Sequence, residues 1–248
     1  MLSAPLLLSS CAAVHLSSAA RPLAGHRRSW PAVMQTPEEL ALLDTIKEDA
    51  ASKKLVLAAC APLTSEPPPG LETLSGDWRV EWTDLGKSFA QKLIFKLFTP
   101  SLKMLSFGAL PPVKVNLTDS YNRITPTGYD LLQCFELPAP ERSGGGTVGV
   151  AMALCGSGSA NSEIPYRLDV QFETVVLLPA TGADVDAFYA ALEAAGLPSD
   201  GAKEPIKIEV KPTYIDVEHL SDALRVHKGA SGTTYVLERV EDIPYVFM

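Results

Sequence analysis

The stretch that decides the fold is residues 74–83, Leu-Ser-Gly-Asp-Trp-Arg-Val-Glu-Trp-Thr. Trp78, Val80 and Trp82 alternate with polar residues, which is the pattern of a β-strand with one buried face. Because Trp78 and Trp82 are four residues apart, a regular strand points both indole rings to the same side of the sheet. We therefore expect both tryptophans to face the interior and to anchor the core.

The same period of two recurs in later parts of the chain. The segments that show it are residues 113–117, 129–135, 168–176, 206–210 and 235–240. The 20 Pro and 17 Gly of the chain favour many short strands over a few long helices. Half-buried strands of this kind predict a mainly β protein with an antiparallel sheet, either closed into a barrel of about eight strands or folded as a sandwich.

Two other segments have the signals of helices. Thr36 is placed to cap a helix, and Glu39, three residues later, completes a capping box. Asp184 precedes a short helix that should end at Gly196 and lie across one end of the barrel. The predicted order is a leader at residues 1–37, an N-terminal helix at 38–63, a Pro-rich linker at 64–70 and a barrel domain at 71–248.

The first 37 residues differ in composition from the rest of the chain. They contain three Arg, many Ser and Ala, and neither Asp nor Glu. This bias is typical of an organelle transit peptide, and the uncharged stretch 4–14 also fits a signal sequence preceding it, as in a two-part leader. The alternative is a plain disordered tail. We expect a disordered plastid-targeting leader, after which the remaining chain is more acidic than the whole.

The net charge and the motifs argue against several classes of function. A net charge of −8 has the wrong sign for binding a phosphate backbone, so nucleic acid is not an expected partner. Nucleophile-elbow, Walker A, zinc-protease and Cys-x-x-Cys motifs do not occur, and we expect no catalytic residue, metal or cofactor. The Gly-x-Gly-x-x-Gly match at 144–149 is followed by alternating residues instead of a helix, and it predicts a hairpin loop.

Motifs near both ends of the predicted barrel domain are similar to those of one protein family. Gly76, Trp78, Trp82 and Thr83 form a Gly-x-Trp-x-x-x-Trp-Thr pattern. The further motifs are Tyr-Asn-Arg-Ile at 121–124, Thr-Tyr-Ile-Asp at 213–216, Leu-Arg-Val-His-Lys-Gly at 224–229 and Gly-Thr-Thr-Tyr-Val-Leu at 232–237. In this order they resemble the plastid lipid-associated proteins, also called fibrillins, over most of residues 38–240.

The resemblance implies an antiparallel lipocalin-like β-barrel with an N-terminal helix and short helices over the barrel ends. It also implies binding of lipid or isoprenoid at the surface of plastoglobules or thylakoids, with no established catalytic site. Gly76 and Asp216 then have structural roles, and we expect Arg225 to reach Asp216 or a Tyr hydroxyl where the barrel closes. Two alternatives remain: a structural protein of plastid membranes without a ligand, and an enzyme acting on a pigment or quinone through Asp216, Arg225 and Tyr214.

The expected ligand site lies inside the barrel. The residues assigned to it are Trp78, Trp82, Gly149, Ala151, Ala153, Tyr214 and Arg225. Gly149, Ala151 and Ala153 form the small face of one predicted strand, and that face leaves a void for a ligand if it points inward. The alternative is that this face packs under a helix while the larger alternate residues of 148–154 fill the barrel.

Residues 87–110 are too apolar for an ordinary solvated loop. Between residues 85 and 118 there are five Lys and no acidic residue. The residues expected to form a membrane anchor or a lid over the barrel mouth are Phe89, Leu93, Phe95, Phe98, Lys92 and Lys96. A basic amphipathic helix of this kind can bind a lipid surface, whereas the two other possibilities are a lid without membrane contact and a plain core helix.

Overall fold

The computed structural model describes residues 35–48, 52–64, 71–84, 99–141 and 145–246. Most of the predicted leader, the linker from 65 to 70 and the predicted lid or anchor residues from 85 to 98 lie outside these ranges. The expectations for those parts of the chain therefore stay predictions.

Nine strands of the described residues form one antiparallel sheet that closes on itself. They are β1 (Gly76–Thr83), β2 (Leu117–Ile124), β3 (Gly128–Pro138), β4 (Thr147–Ala160), β5 (Arg167–Pro179), β6 (Ile206–Lys207), β7 (Thr213–Leu220), β8 (Leu224–Gly229) and β9 (Thr234–Val240). Neighbours pair in the order β4-β3-β2-β1-β9-β8-β7-β5, and β4 also pairs with β5, which closes an eight-stranded barrel. The short β6 pairs with β5 beside this ring. The predicted lipocalin-like barrel is confirmed, and the sandwich alternative is wrong.

In the described part of the glycine-rich segment, residues 145–149, the end of a hairpin loop leads into a strand, as predicted. Gly145 and Gly146 have positive φ angles of 68° and 86°, which glycine adopts without steric cost. β4 begins immediately afterwards at Thr147, which pairs with Pro138 at the end of β3. A strand, and not a helix, follows the loop, so this segment lacks the geometry that a dinucleotide-binding motif requires.

Four α-helices occur in the described residues: α1 (Pro37–Lys47), α2 (Lys53–Cys60), α3 (Leu102–Leu105) and α4 (Val185–Ala194). The predicted capping box is confirmed, because Thr36 Oγ1 accepts from the Glu39 N–H at 3.2 Å and Glu39 Oε2 accepts from the Thr36 N–H at 2.8 Å. The single helix predicted over 38–63 is corrected to two, since Ser52 caps the start of a second helix.

α1 and α2 cover the outer face of β8 and β9. The apolar side chains that form this outer layer are Leu42, Leu43, Val56, Cys60, Leu224, Val226 and Val236. Glu39 Oε1 lies 2.9 Å from His219 Nε2, which links the start of α1 to β7. The layer is separate from the larger core cluster inside the barrel.

Contacts between strands that are not neighbours show which side chains face the barrel interior. Arg225 on β8 contacts Asn122 on β2, and Tyr129 on β3 contacts Phe172 on β5 with ring centres 5.9 Å apart. Because β9 and β1 separate β8 from β2, Arg225 and Asn122 meet only across the inside of the closed barrel. Tyr129 and Phe172 meet over Gly156 of β4, and the bond from the Tyr129 hydroxyl to Asn122 places them on the same inner face. Residues directly opposite each other in register face the same side, so these contacts assign the inward positions of the other strands.

One end of the barrel is closed by helices. α4 begins at the predicted cap Asp184, whose carboxylate accepts two backbone N–H groups, and it packs against β3 and β4. Phe188 of α4 and Leu102 of α3 belong to the same core cluster as the inward-facing Met152. The expectation of short helices over a barrel end is thus confirmed for this end.

Candidate functional site

Trp78 lies inside the barrel, as predicted, and is fully buried. Its indole Nε1–H donates to the Leu74 carbonyl at 3.0 Å. Gly76, two residues earlier, has φ +143°, and a Cβ at this position would collide with the guanidinium of Arg239. Only glycine fits both the backbone angle and the space. This geometry fits the structural role predicted for Gly76, which stays a prediction.

Trp82 faces outward, so the prediction that it lies inside the barrel is wrong. The pairing of β1 with β9 shifts between Val80 and Trp82, which marks a β-bulge. A one-residue shift turns every later side chain to the opposite face of the strand. Trp82 therefore packs against the outer layer under α1 and α2.

The small face of β4 also points outward, so Gly149, Ala151 and Ala153 do not line the barrel interior. Ala151 and Ala153 pack in an outer cluster with Ile243 of the C-terminal segment. The larger alternate residues of 148–154 belong to the interior core, as the alternative prediction had it. The C-terminal segment covers this small face, whereas the alternative prediction had expected a helix there.

Tyr214 and Asp216 lie on the outer face of β7. The Asp216 carboxylate accepts from Arg167 Nε at 2.6 Å and Nη2 at 2.9 Å, and Arg167 Cζ lies 3.7 Å from the Tyr214 ring centre. The predictions that Tyr214 reaches the interior and that Arg225 reaches Asp216 are therefore wrong. β7 and β8 are neighbours as expected, but Arg225 is on the inward face. The three residues suspected for a barrel enzyme do not converge.

Arg225 lies inside the barrel, as predicted, and is the centre of a buried polar cluster. Its Nη2 donates to Asn122 Oδ1, which also accepts from the Tyr129 hydroxyl at 3.1 Å. The Trp78 ring centre lies 5.0 Å from Arg225 Cζ, within the range of a cation–π contact. Nε and Nη1 of Arg225 have no hydrogen-bond partner among the described residues.

His227 extends this polar cluster, Gln133 is another inward-facing polar side chain of the barrel, and neither was assigned from the sequence. His227 stacks on Tyr235 with ring centres 4.9 Å apart, and its Nδ1 has no partner in the described structure. Gln133 stands opposite the inward-facing Met152, and its Oε1 is likewise buried without a described partner. A signal for His227 was present, because in Leu-Arg-Val-His at 224–227 the two polar residues share one face.

The described barrel strands place positive charge in the interior but no negative charge. Arg225 faces inward, and no inward position of these eight strands is Asp or Glu. Burial lowers the pKa of Arg225 to about 10, with Tyr129 opposing and Arg239 adding to the decrease. Burial, followed by the charge of Arg225, holds the pKa of His227 well below 6.5, so this ring is neutral at pH 7. Arg225 thus remains charged without a carboxylate partner inside the barrel.

A half-open cavity of about 560 Å³ lies at the rim of the barrel, at the end opposite α4. Its lining includes Leu74, Ile124, Gly128, Ala160 and Leu168. Ile124 and Leu168 face inward, and Asn122 is the next inward residue along β2, about 7 Å from Ile124. The polar cluster around Arg225 therefore lies one inward layer below the cavity.

The predicted lid or anchor segment is described only from residue 99 onwards. Phe89, Leu93, Phe95, Phe98, Lys92 and Lys96 lie outside the described residues. In the remainder, Met104 and Phe107 are 47% and 57% exposed, and both are large apolar side chains. The described part of this segment therefore exposes two large apolar side chains.

The comparisons with known proteins leave the family open. Within the described parts of the chain, no helix is both long enough and apolar enough to cross a membrane. No protein-family model matches the chain, and no curated protein matches its sequence. The interior of the barrel is accordingly the basis for a functional assignment.

Proposed function

We propose that the protein is a fibrillin-like lipid-binding protein of plastids that holds one apolar lipid or isoprenoid molecule in its barrel. The observation that carries the proposal is the cavity of about 560 Å³ above a buried polar cluster with unpartnered atoms. Sites for small molecules are mostly apolar, span roughly 300 to 1,000 Å³ and contain a few convergent polar groups. The cavity and the cluster below it fit this description.

The packing of the barrel supports one position for the ligand. The inward residues of β4 and the helices α3 and α4 fill the end opposite the cavity. The cavity end is bordered instead by turns and by the segment at 71–75. A ligand therefore enters between these turns, with its polar end toward Asn122 and Arg225.

The location proposed for this function is the plastid, at the periphery of plastoglobules or thylakoids. Its support is the composition of residues 1–37, which lack acids and carry three Arg, together with the fibrillin-like motifs. A fluorescent fusion of these residues, expressed in plant or algal cells, tests the location. Accumulation in plastids is expected, and retention in the cytosol would contradict it.

The binding proposal is tested by extracting lipid from the purified full chain and identifying it by mass spectrometry. Ala160 and Ser159 are both exposed, but Ala160 lines the cavity on the inward side of β4, whereas Ser159 is on the outer face. We expect Ala160→Trp to block the cavity mouth and to lose the copurified lipid, while the control Ser159→Trp retains it. Absence of lipid from wild type, together with no uptake of added lipid or isoprenoid, would refute the proposal.

A second candidate function is association with a lipid surface through residues 103–114. Met104 and Phe107 are exposed, and Lys103 and Lys114 are exposed beside them in an otherwise acidic chain. Apolar insertion and attraction to anionic lipid both favour such a surface. Phe107 has φ 54°, which asparagine tolerates, so Phe107→Asn removes the apolar ring without new backbone strain.

Flotation with galactolipid vesicles that contain anionic lipid tests this second candidate. The matched control is Tyr166→Asn, which removes another exposed aromatic residue next to β5. We expect Phe107→Asn to reduce flotation and Tyr166→Asn to leave it unchanged. Equal flotation of wild type and both variants would remove Phe107 from any membrane role.

A further inference from the structure

Arg225 has no charged partner inside the barrel, although a buried charge normally has one. Asp216, the acid nearest to it in the closing motifs, is paired with Arg167 on the outer face. No inward strand position in the described barrel is acidic. Burying an ion without a counter-charge is costly, so buried charges are generally paired or fully hydrogen-bonded. The described strands therefore offer the Arg225 guanidinium no negative charge inside the barrel.

The hydrogen-bonding capacity of Arg225 points in the same direction. Its two unpartnered nitrogens carry three N–H groups, one on Nε and two on Nη1. Asn122 Oδ1 already accepts from Arg225 Nη2 and from the Tyr129 hydroxyl, so both of its lone pairs are used. A carboxylate offers about four acceptor sites and one negative charge, and it matches both needs of the guanidinium.

We propose that the ligand of the barrel is an apolar molecule that ends in a carboxylate, and that Arg225 binds this carboxylate inside the barrel. The inference rests on the proposed function and extends it by naming the polar end of the ligand. A neutral hydroxyl, ester or ketone end would satisfy some of the N–H groups but would leave the charge uncompensated.

The surrounding residues fit this orientation of the ligand. In this orientation the carboxylate lies beside Asn122 and Trp78, which are buried below the cavity and do not line it. The apolar chain reaches the cavity past Ile124 and Leu168, which do line it. His227 follows Arg225 by two residues on the same inward face and has its Nδ1 unpartnered. With the proton on Nδ1, the neutral imidazole supplies one further donor to the carboxylate.

The experiment is a binding titration of the full, delipidated protein with two probes, dansyl-labelled undecanoic acid and its methyl ester, at neutral pH. The probes differ only in the end group, which is a negatively charged carboxylate in one and an uncharged methyl ester in the other. We expect the acid to bind wild type about 10- to 100-fold more tightly, which is the range that hydrogen bonds to a charged group provide. Arg225→Met should abolish the preference, because it should lower the affinity for the acid much more than the affinity for the ester. The matched control Arg167→Met, on the outer face, should retain the preference.

The possible results separate this inference from the proposed function. Equal binding of acid and ester to wild type overturns the carboxylate site and leaves the lipid-binding function standing. Preference for the acid that survives in Arg225→Met overturns the role of Arg225. Failure of wild type to bind either probe, or any extracted lipid, defeats both proposals. If Arg225→Met does not fold, the comparison of wild type with Arg225→Lys still tests the role of Arg225. A lysine keeps the positive charge and should keep part of the preference for the acid over the ester.

Discussion

The guanidinium carbon of Arg239 lies 4.2 Å from the centre of the Trp78 ring. The same guanidinium donates to the backbone carbonyls of Thr73, Ser75 and Asp222 at 2.7 to 2.8 Å. Trp78 is on β1 and Arg239 is on β9, the first and last strands of the sheet in chain order. Arg239 thus links β1 and β9 to the segment at residues 73–75, which precedes the barrel.

Trp78→Ala should destabilise the protein by about 3 to 5 kcal/mol, because it removes a fully buried indole and the surface on which Arg239 lies. Urea unfolding followed by fluorescence or circular dichroism measures the loss. Trp82→Ala, which affects only the outer layer, should cost less. A Trp78→Ala variant as stable as wild type would contradict the placement of this ring.

Gly76→Ala should cost about 1 to 3 kcal/mol, because the added Cβ meets Arg239 and the backbone has φ +143°. The control is Gly229→Ala, where the nearest heavy atom to a new Cβ is 3.5 Å away. Thermal melting of the two variants provides the comparison. Equal melting temperatures would show that the close approach of Arg239 to Gly76 is not structural.

Arg225→Met should leave the free energy of unfolding of the ligand-free protein unchanged or raise it, because it replaces an unpaired buried charge with an apolar side chain. Asp216→Asn should lower it by less than about 1 kcal/mol, since its ion pair with Arg167 is partly exposed. Both values come from urea unfolding of delipidated protein. A loss of several kcal/mol in Arg225→Met would make Arg225 a structural residue.

Stability should fall as the pH drops below about 6.5, in part because of His227. The folded state keeps the pKa of this buried ring well below 6.5, so in this range the unfolded chain binds a proton that the folded chain does not. The free energy of unfolding then decreases by at most about 1.4 kcal/mol per pH unit from this group. His227→Phe preserves the stacking shape and should flatten the slope between about pH 6.5 and 5. An identical slope in the variant would show that the ring is not held neutral.

The predicted amphipathic helix before residue 99 is tested by the double variant Phe95→Asp, Phe98→Asp. We expect it to float less with liposomes than wild type, because two charges enter the apolar face. The matched control is Leu40→Asp, Leu55→Asp, which changes two exposed apolar residues on α1 and α2. Circular dichroism confirms that both variants fold. Flotation equal to that of wild type would remove the segment from any membrane role.

The sequence predicted most of the strands, but it did not always predict which side chains of a strand point into the barrel. Alternation predicted β1, β3, β4, β5, β9 and the inward position of Trp78 correctly. It was wrong for residues 113–116, which precede β2, and too long for residues 206–210, where only Ile206–Lys207 form a strand. It failed for Trp82, because the bulge in β1 depends on pairing with β9 and leaves no mark in the local pattern. β5 shifts register in the same way between its pairs with Cys155 and Gly156, which turns Val176 outward.

The candidate site was only partly predictable for a related reason. Arg225 was expected inside the barrel and is there, but its partner was expected to be Asp216 or a Tyr hydroxyl, and the structure shows Asn122. Choosing between Asp216 and Asn122 requires knowing which strands meet across the interior, and that depends on the closure of the whole barrel. The outward turn of Gly149, Ala151 and Ala153 depends likewise on the C-terminal segment that covers them.

Native mass spectrometry of the intact protein tests the central claim most directly, namely that the barrel holds one apolar molecule. We predict that wild type and Ser159→Trp appear with the added mass of a single bound lipid or isoprenoid, released by mild activation, and that Ala160→Trp appears without it. Wild type that shows only the mass of the chain, both as purified and after incubation with plastid lipid extract, would contradict the claim.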